Sequence, residues 1–528
     1  MADKKLEQVI LGLMKADLKT RPHFINVKRQ LSNQQHLAPP RNSDLLKVYQ
    51  KLLKSKKIKA SPLLERFLLK REIRTLSGVA VITVLTKPYP CPGNCIFCPG
   101  QKGMPKSYLS NEPAVMRAIG SQFDPFKQVT VRLKALAQNG HATDKIELIV
   151  LGGSWSAYPK RYQAWFIKRC FDALNGKTST TLNQAQIRNQ TAAKRCVGLT
   201  LETRPDLINL PEIKRLRMLG CTRVELGVQT TDDEVLKLNR RGNTTAEIVQ
   251  ATRLLKSAGF KIQYHMMPNL PGSTPAKDLK MFIDLFTKPQ FQPDMLKIYP
   301  CVVTRDALLY HWHRQKKFKP YTDSQLKKLL IKIKQVIPYY VRITRLIRDI
   351  PAESIIAGNK ITNLRQLINE EIKDTPQACK CIRCREAKNQ PADLKQVKMF
   401  TQQYEASNGA EYFISFESAN RKIIYAFVRL RLPQPVTSQN NQFYRVFPEL
   451  KNAALIRELH TYGQLAPLGQ AGEVQHLGFG KKLMAQAEII AKQKQFTKIA
   501  VISGIGVRPY YQKIGYRLKG TYMLKNLS

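Results

Sequence analysis

Short apolar runs of strand length alternate with amphipathic helical stretches from residue 79 to about residue 300, and this alternation constrains the fold more than any other feature. Strands are predicted at residues 79–85, 146–151, 196–201, 223–228, 260–266 and 295–299. Helices are predicted between them, for example at 159–174, 244–258 and 275–286. Six such units predict a parallel sheet with helices outside it. Because a complete eight-unit barrel needs roughly 250 residues, we expect a partial barrel with its chemistry at the carboxyl ends of the strands.

The pattern changes after residue 300. A basic helix is predicted at 321–336, and residues 373–395 are polar and contain three cysteines. Beyond residue 397, the sequence predicts strands at 411–416, 422–432, 453–462 and 498–503, with a helix at 478–495. This order is typical of an α+β domain. We therefore expect an α/β part and an α+β part, with these boundaries: a basic helical region (1–75), the barrel (76–300), a connecting region (301–395) and the α+β domain (396–528).

The charge of the chain indicates an anionic partner. The chain carries 87 Lys and Arg against 38 Asp and Glu, a formal net charge of +49. Its first 80 residues carry 18 basic and 6 acidic side chains among apolar positions with helical spacing, which predicts folded basic helices. Nucleic acid is the natural polyanion for such a surface. The alternative is a protein that is merely basic.

The sequence favours a cytoplasmic protein with no membrane partner. No apolar run approaches the roughly 18 residues that a membrane-spanning helix needs, and the first ten residues, MADKKLEQVI, lack the apolar stretch of a secretory signal. The 10 cysteines in 528 residues are too few for a disulfide scaffold. In the reducing cytosol, clustered cysteines bind metal or perform redox chemistry.

Three of the cysteines, Cys91, Cys95 and Cys98, directly follow the first predicted strand. Three thiolates on a tight Pro/Gly loop can hold three irons of a 4Fe–4S cluster and leave the fourth iron open, whereas zinc would want a fourth ligand that is not nearby in sequence. The CxxxCxxC spacing at this position resembles the signature of the radical S-adenosylmethionine superfamily. The resemblance implies that S-adenosylmethionine binds the open iron and that Gly152 and Gly153 contact its methionine moiety. Taken alone, these two glycines predict an ordinary turn.

A second motif, QHLGFGKKL at residues 475–483, opens the predicted C-terminal helix. Glycines at a helix start let backbone N–H groups approach a pyrophosphate, whose charge the helix dipole favours. The motif resembles the coenzyme A-binding element of the GNAT acetyltransferases, and Tyr510 and Tyr511 follow it. In that family an aromatic hydroxyl near the thioester often serves as general acid. The alternative is a glycine-started core helix with buried tyrosines.

Together these motifs resemble the catalytic subunit of Elongator in its single-chain bacterial or archaeal form, over nearly the whole chain. The runs that carry the resemblance include Glu202-Thr203-Arg204-Pro205-Asp206, Gly220-Cys221-Thr222-Arg223, His265-Met266-Met267-Pro268, Arg348-Asp349-Ile350-Pro351 and Arg457-Glu458-Leu459-His460. The resemblance implies a basic tRNA-binding N-terminal domain, a radical S-adenosylmethionine barrel and a C-terminal GNAT domain.

The same resemblance implies the reaction and the partners. A 5′-deoxyadenosyl radical takes hydrogen from the methyl group of acetyl-CoA, the carbon radical adds to C5 of uridine 34 in the wobble position of tRNA, and hydrolysis of the thioester leaves 5-carboxymethyluridine. The implied partners are the anticodon stem-loop of tRNA and an electron donor for the cluster. Accessory protein subunits are left undecided by the sequence.

The resemblance also assigns the site residues, motif by motif. The cluster ligands are the three cysteines of the first motif. The residues expected to bind acetyl-CoA are Lys145, Glu458, Leu459, His460, Thr461, Gln475, Gly478, Phe479, Gly480, Lys481 and Tyr511. The candidates for catalysis are Lys145, His460, Tyr510 and Tyr511.

A second group of cysteines predicts a zinc site between the barrel and the α+β domain. Cys379, Cys381 and Cys384 offer three soft ligands on a short loop, and a fourth would close the site. Cys301 is the candidate for the fourth, with His311 and His313 as rivals. The alternative is a set of free thiols.

Two other functions fit parts of the sequence. A protein lysine acetyltransferase with a structural iron–sulfur domain would use the GNAT fold, but lysine-rich tails are cationic and a chain with a charge of +49 repels them. A radical methylthiotransferase would need a second cluster, and a sulfur source in place of coenzyme A. The sequence therefore favours the uridine-modifying enzyme.

Overall fold

The N-terminal part of the chain is a helical bundle. The computed structural model describes residues 2–68, 78–373, 375, 378–387, 396–437, 441–462 and 478–527. The bundle consists of α1 (Ala2–Lys15), α2 (Arg21–Gln34), α3 (Asn42–Lys54) and α4 (Pro62–Leu68). Thr20 caps α2, because its side chain accepts a hydrogen bond from the backbone N–H of His23. The bundle has its own apolar core, which includes Val9, Leu45 and Phe67, so its basic side chains are carried by a folded unit.

Seven parallel strands follow one another across the first sheet, in the order of the sequence. They are β1 (Ala80–Leu85), β2 (Lys145–Leu151), β3 (Arg195–Thr203), β4 (Arg223–Gln229), β5 (Lys261–Met266), β6 (Met295–Ile298) and β7 (Arg342–Arg345). Within the described ranges β7 does not pair with β1, so the sheet is an open, partial barrel as predicted. The predicted number of strands was wrong by one. The missed strand, β7, has four residues and buries only Ile343 fully, which is too short a pattern for hydrophobic periodicity to reveal.

Helices connect the strands of the barrel and continue beyond β7. They are α5 (Pro113–Gly120), α6 (Pro125–Gln138), α7 (Lys160–Asn175), α8 (Leu182–Asn189), α9 (Leu210–Met218), α10 (Asp233–Leu238), α11 (Thr245–Ser257), α12 (Pro275–Thr287), α13 (Leu309–Arg314), α14 (Asp323–Val336), α15 (Leu364–Ile372) and α16 (Ile382–Arg385). A capping box starts α11: Thr244 accepts from the backbone of Glu247, and the Glu247 carboxylate accepts from the backbone of Thr244. In the described ranges, the helices are too short or too polar to cross a membrane.

The C-terminal part is a second sheet, in the order β13-β14-β12-β11-β10-β9-β8. Its elements are β8 (Val397–Glu405), β9 (Gly409–Ser418), β10 (Ile424–Pro433), α17 (Asn441–Val446), β11 (Ala453–Thr461), α18 (Phe479–Gln493), β12 (Lys498–Val501), α19 (Arg508–Lys513), β13 (Arg517–Lys519) and β14 (Tyr522–Asn526). Strands β11 and β12 are parallel, and the other neighbours are antiparallel. The mixed sheet confirms the predicted α+β character.

The second sheet covers the amino ends of the barrel strands. Arg457 of β11 donates to the carboxylate of Asp294, just before β6, at 2.5 and 3.0 Å, and to the backbone carbonyl of Phe260, just before β5, at 2.6 Å. One apolar core cluster runs through both sheets. The two sheets therefore form one packed unit, and the mouth at the carboxyl ends of the strands stays on the far side.

The contact around Arg457 is a buried network of charges. Arg457 also donates to Glu411 of β9 at 2.8 Å, and the ammonium of Lys256 lies 3.6 Å from Glu411 and 3.9 Å from Asp294. Arg429 of β10 lies 3.6 Å from Asp294. Burial alone would raise the pKa of Asp294, but Arg457, Lys256 and Arg429 hold it well below its usual range. Burial lowers the pKa of Lys256 to about 8, against the pull of both carboxylates.

Replacing Asp294 by Asn should lower the free energy of unfolding by about 3–5 kcal/mol, because it leaves buried cations without their counter-charge. Urea unfolding followed by tryptophan fluorescence measures this. The control is Glu371→Gln, which removes an exposed ion pair with Lys327 and should cost about 0–1 kcal/mol. Equal losses in the two variants would contradict the role given to the network.

Candidate active site at the two ends of the barrel lumen

The first predicted motif lies where the loops gather, beyond the carboxyl end of β1. Cys91, Cys95 and Cys98 are all half-buried there. A Cβ at Gly93 would lie 2.0 Å from a guanidinium nitrogen of Arg204, so only glycine lets that arginine approach the loop. The loop is further held by the backbone N–H of residue 96, which donates to the carbonyl of residue 239 at 3.2 Å. The three thiols are therefore presented together by a fixed loop.

Cationic side chains surround these thiols. The guanidinium of Arg241 lies 3.7 Å from the Cys95 sulfur, and the hydroxyl of Ser154 lies 3.5 Å from the Cys91 sulfur. Burial raises the pKa of Cys98 to about 11 as a free thiol, and Lys106 and Arg348 act against that rise. Nearby cations favour the thiolate, which is the form that binds iron. Three thiolates in a cationic setting fit three irons of a 4Fe–4S cluster and leave the fourth iron open.

Gly152 and Gly153 form the turn after β2, beside the cysteine loop. Their φ angles are 130° and 98°, a region that other residues rarely adopt. A Cβ at Gly152 would lie 1.9 Å from the hydroxyl of Thr86, just after β1. The turn therefore needs glycine at this position to close against the end of the neighbouring strand.

The second predicted motif lies in the other sheet. Gly478 has a φ of 70° and precedes the first turn of α18, and the ring of Phe479 stacks on Phe416 at 4.6 Å. A Cβ at Gly480 would come within 3.3 Å of the Tyr510 hydroxyl. The free backbone N–H groups of this helix start are suited to a phosphate or pyrophosphate. Gln475, which was predicted to belong to the same turn, lies outside the described residues.

Strand β11 carries the next predicted residues beside this turn. The carboxylate of Glu458 accepts hydrogen bonds from Lys261 at 3.1 Å and from Arg429 at 2.9 Å. Burial would raise the pKa of Glu458, but these cations bring it to about 2. Burial lowers the pKa of His460, whose ring packs against those of Phe427 and Tyr462 at 5.9 and 4.4 Å. At neutral pH, therefore, Glu458 is ionised and His460 is neutral.

A single cavity of about 1500 Å³ connects the two motifs through the barrel. Its lining includes most of the predicted residues, namely Cys98, Lys145, Glu458, Leu459, His460, Thr461, Gly478, Gly480, Lys481, Tyr510 and Tyr511. Lys145 begins β2, and the seven residues of that strand span about 20 Å at roughly 3.3 Å per residue. Lys145 therefore lies at the amino end of the lumen, with the second sheet, while Cys98 lies at the carboxyl end.

Charged side chains that sequence reasoning missed line the lumen between these ends. Arg223 contacts Glu147 at 2.5 Å. Glu225 contacts Lys297, and its carboxylate lies 2.9 Å from a ring nitrogen of His265. Burial would raise the pKa of Glu225, but Lys297 and His265 hold it well below its usual range. The available signal was the polar residue at every second position of predicted buried strands, as in Arg223-Val224-Glu225.

The sulfurs of Cys379, Cys381 and Cys384 lie within 4.8 Å of one another, and no other His, Cys, Asp or Glu of the described chain completes the group at that distance. The prediction of Cys301 as fourth ligand was wrong. Cys301 follows the carboxyl end of β6 in a separate apolar cluster. The three cysteines lie at the opposite end of the sheet, where the backbone N–H of Ile382 donates to the residue before β7 at 2.9 Å.

The rival ligands predicted for the zinc site are also absent from this group. His311 and His313 both belong to the short helix α13, which follows β6 on the side of Cys301. The ring nitrogen Nδ1 of His313 lies 3.1 Å from the carbonyl of Phe318.

Comparison with known proteins agrees with this arrangement. The model of the radical SAM superfamily matches residues 89–286, and that of the radical SAM C-terminal domain matches residues 293–374. The tRNA uridine(34) acetyltransferase of Methanocaldococcus jannaschii is 44% identical over 475 residues, which cover 87% of this chain and 86% of that protein. The protein of the same name from Dehalococcoides mccartyi is 42% identical, with 87% and 100% covered.

Human Elongator complex protein 3 is also similar, at 38% identity over 93% of this chain and 90% of its own length. Among solved structures, archaeal Elp3 from Methanocaldococcus infernus, with its N-terminus deleted, superposes with a TM-score of 0.74 at 41% identity. That match covers 85% of this chain and 100% of the archaeal one. The radical SAM family implies a 4Fe–4S cluster and S-adenosylmethionine as cofactors. The chain thus belongs to the radical SAM family that contains the tRNA uridine(34) acetyltransferases and Elongator complex protein 3.

Proposed function

We propose that this protein modifies uridine 34 of tRNA at C5, with acetyl-CoA as the carbon source, to give 5-carboxymethyluridine. The observation that carries the proposal is the single cavity lined both by Cys98 of the cysteine loop and by Gly480 of the helix start. The names of the relatives support the tRNA substrate, and the net charge of +49 suits it. A lysine acetyltransferase would not need a cysteine loop on its cavity, and its cationic substrate would be repelled.

In this proposal, Cys91, Cys95 and Cys98 bind the cluster and the turn at Gly152 and Gly153 receives the methionine moiety of S-adenosylmethionine. The cluster and this cofactor, when bound, supply hydrogen abstraction from an unactivated carbon. The protein holds the loop in place through Arg204, whose guanidinium reaches Gly93, and brings the cation of Arg241 to 3.7 Å from the Cys95 sulfur, where it faces the charge of a bound cluster.

Acetyl-CoA is proposed to bind through the other end of the cavity. The backbone N–H groups of the turn at Gly478, Gly480 and Lys481 would bind the pyrophosphate, and the edge of β11 from Glu458 to Thr461 would guide the pantetheine arm. Lys145 stands at the entrance of the lumen with its pKa lowered by burial. Coenzyme A is long enough to place its pyrophosphate outside the lumen and its acetyl group inside, where protein walls exclude water from the reacting carbon.

The hydrolytic half of the reaction needs a proton donor for the departing thiolate. Tyr510 and Tyr511 line the cavity beside Gly480, and burial raises the pKa of both phenols. They therefore keep their protons at neutral pH and can donate one. His460, neutral and buried on β11, is the candidate for orienting the thioester.

The cluster assignment predicts a loss of iron. Anaerobically reconstituted wild-type protein should contain about four irons per chain, and a protein with Cys91, Cys95 and Cys98 all replaced by Ala should contain almost none, because the ligands are gone. Iron analysis and visible absorbance measure this. The control is Cys301→Ala, which should keep its iron, since Cys301 follows β6 and the three cysteines of the loop stay in place. Iron retained in the triple variant would contradict the assignment.

The acetyl-CoA assignment predicts a selective loss in Gly480→Glu. The new carboxylate would face the pyrophosphate, and like charges at close range cost several kcal/mol, so carboxymethyluridine formation should fall by at least about 100-fold. Nucleoside analysis of tRNA, incubated anaerobically with both cofactors and a reductant, measures the product.

Gly120→Glu is the matched control for that experiment, because a Cβ at Gly120 meets nothing within 4 Å. Its product yield should equal that of the wild type. Cleavage of S-adenosylmethionine without acetyl-CoA should be the same in all three proteins. Normal product formation by Gly480→Glu would show that acetyl-CoA binds elsewhere.

The second cysteine group is proposed to hold a structural zinc ion. Its three sulfurs are close enough to share one ion, and hydrogen bonds from Cys379 and Cys384 hold the pKa of Cys381 well below its usual value. The ammonium of Lys334 lies 3.7 Å from the Cys384 sulfur, which suits a thiolate-rich site. The ion would tie α16 to the edge of the barrel.

Zinc analysis tests this site directly. Wild-type protein and Cys301→Ala should each hold about one zinc per chain, whereas Cys381→Ser should hold almost none and should melt at a lower temperature. Iron content after reconstitution should be unchanged in Cys381→Ser, because the cluster loop lies at the other end of the sheet. Zinc retained in Cys381→Ser would refute the site.

A further inference from the structure

The cysteine loop separates two cavities. Cys98 lines the large cavity, while Cys91 lines a smaller outer depression of about 580 Å³. The outer depression is formed by residues 88–94 with Gly100, Gln101, Met104 and Lys106, and it shares no lining residue with the large cavity. Under the proposed function, substrates occupy the inner side of the loop. The outer side therefore offers the short route from solvent to the cluster.

The surface around this outer depression is basic. Two segments meet here, residues 87–106 and residues 158–165. Their exposed cations are Lys87, Lys102, Lys160 and Arg161. The sequence contains no Asp or Glu between Glu72 and Glu112, nor between Glu147 and Asp172. Two acids from other segments come near: the backbone N–H of Gly100 donates to the carbonyl of Asp306 at 2.9 Å, and Asp206 is paired with Arg204, whose guanidinium reaches Gly93. The charge of this face is thus strongly positive within its own two segments.

A row of aromatic rings joins the cysteine loop to an exposed tryptophan. Tyr89, two residues before Cys91, stacks on Tyr158 at 4.7 Å, Tyr158 stacks on Tyr162 at 5.2 Å, and Tyr162 packs on Trp165 at 5.6 Å. Trp165 is 42% exposed. The ammonium of Lys87 lies 5.1 Å from the centre of the Tyr162 ring. Exposed aromatic rings and arginine side chains are enriched in protein-binding surfaces.

We propose, building on the function proposed above, that this face binds a small acidic protein that carries one electron to the cluster. The face, called the outer patch, consists of Lys87, Lys102, Lys160, Arg161 and Trp165. In the transfer, the reduced carrier loses one electron and the oxidised cluster gains it, with no bond made or broken and no proton moved. Carboxylates of the carrier face the four cations, and an apolar surface of the carrier covers Trp165.

Two observations favour a protein over tRNA as the occupant. The base of a tRNA has to enter the large cavity, and no residue of the outer patch lines that cavity. The outer depression, in contrast, is lined by Cys91 itself, and electron transfer is efficient only over short distances. Interfaces between electron-transfer proteins bury little surface, and charge guides their formation. A patch of four cations and one aromatic ring is large enough for such an interface.

The test is the rate of cluster reduction by an acidic one-electron carrier, with reduced flavodoxin as the probe. Reconstituted full-length protein is mixed with the probe in the absence of tRNA and acetyl-CoA, and the visible absorbance of the cluster is followed in time. At low salt, Lys87→Glu/Arg161→Glu should react at least about tenfold more slowly than the wild type, because attraction becomes repulsion. The difference should shrink as salt is added. The cluster of Trp165→Gln should be reduced more slowly than that of the wild type at every salt concentration, because salt does not screen the apolar contact that this variant loses.

The matched control is Arg517→Glu/Lys519→Glu, which makes the same charge change at two exposed positions of β13 and should keep the wild-type rate within about twofold. Reduction by a small neutral photoreductant should be equal in all the proteins, which shows that their clusters are intact. Equal rates with flavodoxin in all of them would overturn the proposal. So would a loss of tRNA affinity in Lys87→Glu/Arg161→Glu without a slower reduction, because the patch would then be an RNA surface. Since no tRNA or acetyl-CoA is present, a failure to make carboxymethyluridine refutes the proposed function and leaves this result standing.

Discussion

The bidentate contact between Arg457 and Asp294 fixes the second sheet on the barrel. Arg457 reaches the carbonyl before β5 and the carboxylate before β6 from a strand of the other sheet. The next residue, Glu458, also faces the barrel, because a bulge in β11 interrupts the alternation of its side chains, and it contacts Lys261 at the start of β5. Arg457 and Glu458 thus both hold the interface and both border the cavity. Buried charges give this interface a defined register, because each cation has its carboxylate in one position only.

This placement decides what the cavity is. A partial barrel alone would be open at both ends and along the gap between β1 and β7. With the second sheet over the amino ends of its strands, the lumen becomes a passage from the helix start at Gly480 to the cysteine loop. The passage is polar: Arg223 pairs with Glu147, and Lys297 with Glu225. These pairs satisfy the buried charges before any ligand enters, so the lumen can accept a polar arm without leaving a charge unpaired.

Much of the fold could be predicted from the sequence, because its dominant signals are local. Six strands of the barrel were recognisable as short runs rich in apolar residues between amphipathic helical stretches. The seventh, β7, begins and ends with arginine and could be recognised only from its pairing with β6. The glycine turn before α18 was visible because a left-handed residue at a helix start is a local requirement, met by Gly478.

The prediction that was wrong and the distances that were not foreseen depend on which end of the sheet a residue occupies. Cys301 and the Cys379 group belong to the same connecting region, but Cys301 follows the carboxyl end of β6, whereas the Cys379 group lies at the amino end of β7. Lys145 and Cys98 likewise lie at opposite ends of the first two strands, and β2 alone spans about 20 Å. The spacing of residues in the sequence does not show at which end of the lumen each residue lies. The same fact explains why neither sheet can work alone in the proposed reaction: the group that is bound at one end of the lumen has to react at the other. A chain with this geometry needs a long, flexible carrier for its carbon unit, and a thioester on a pantetheine arm has the reach that a small free acid lacks.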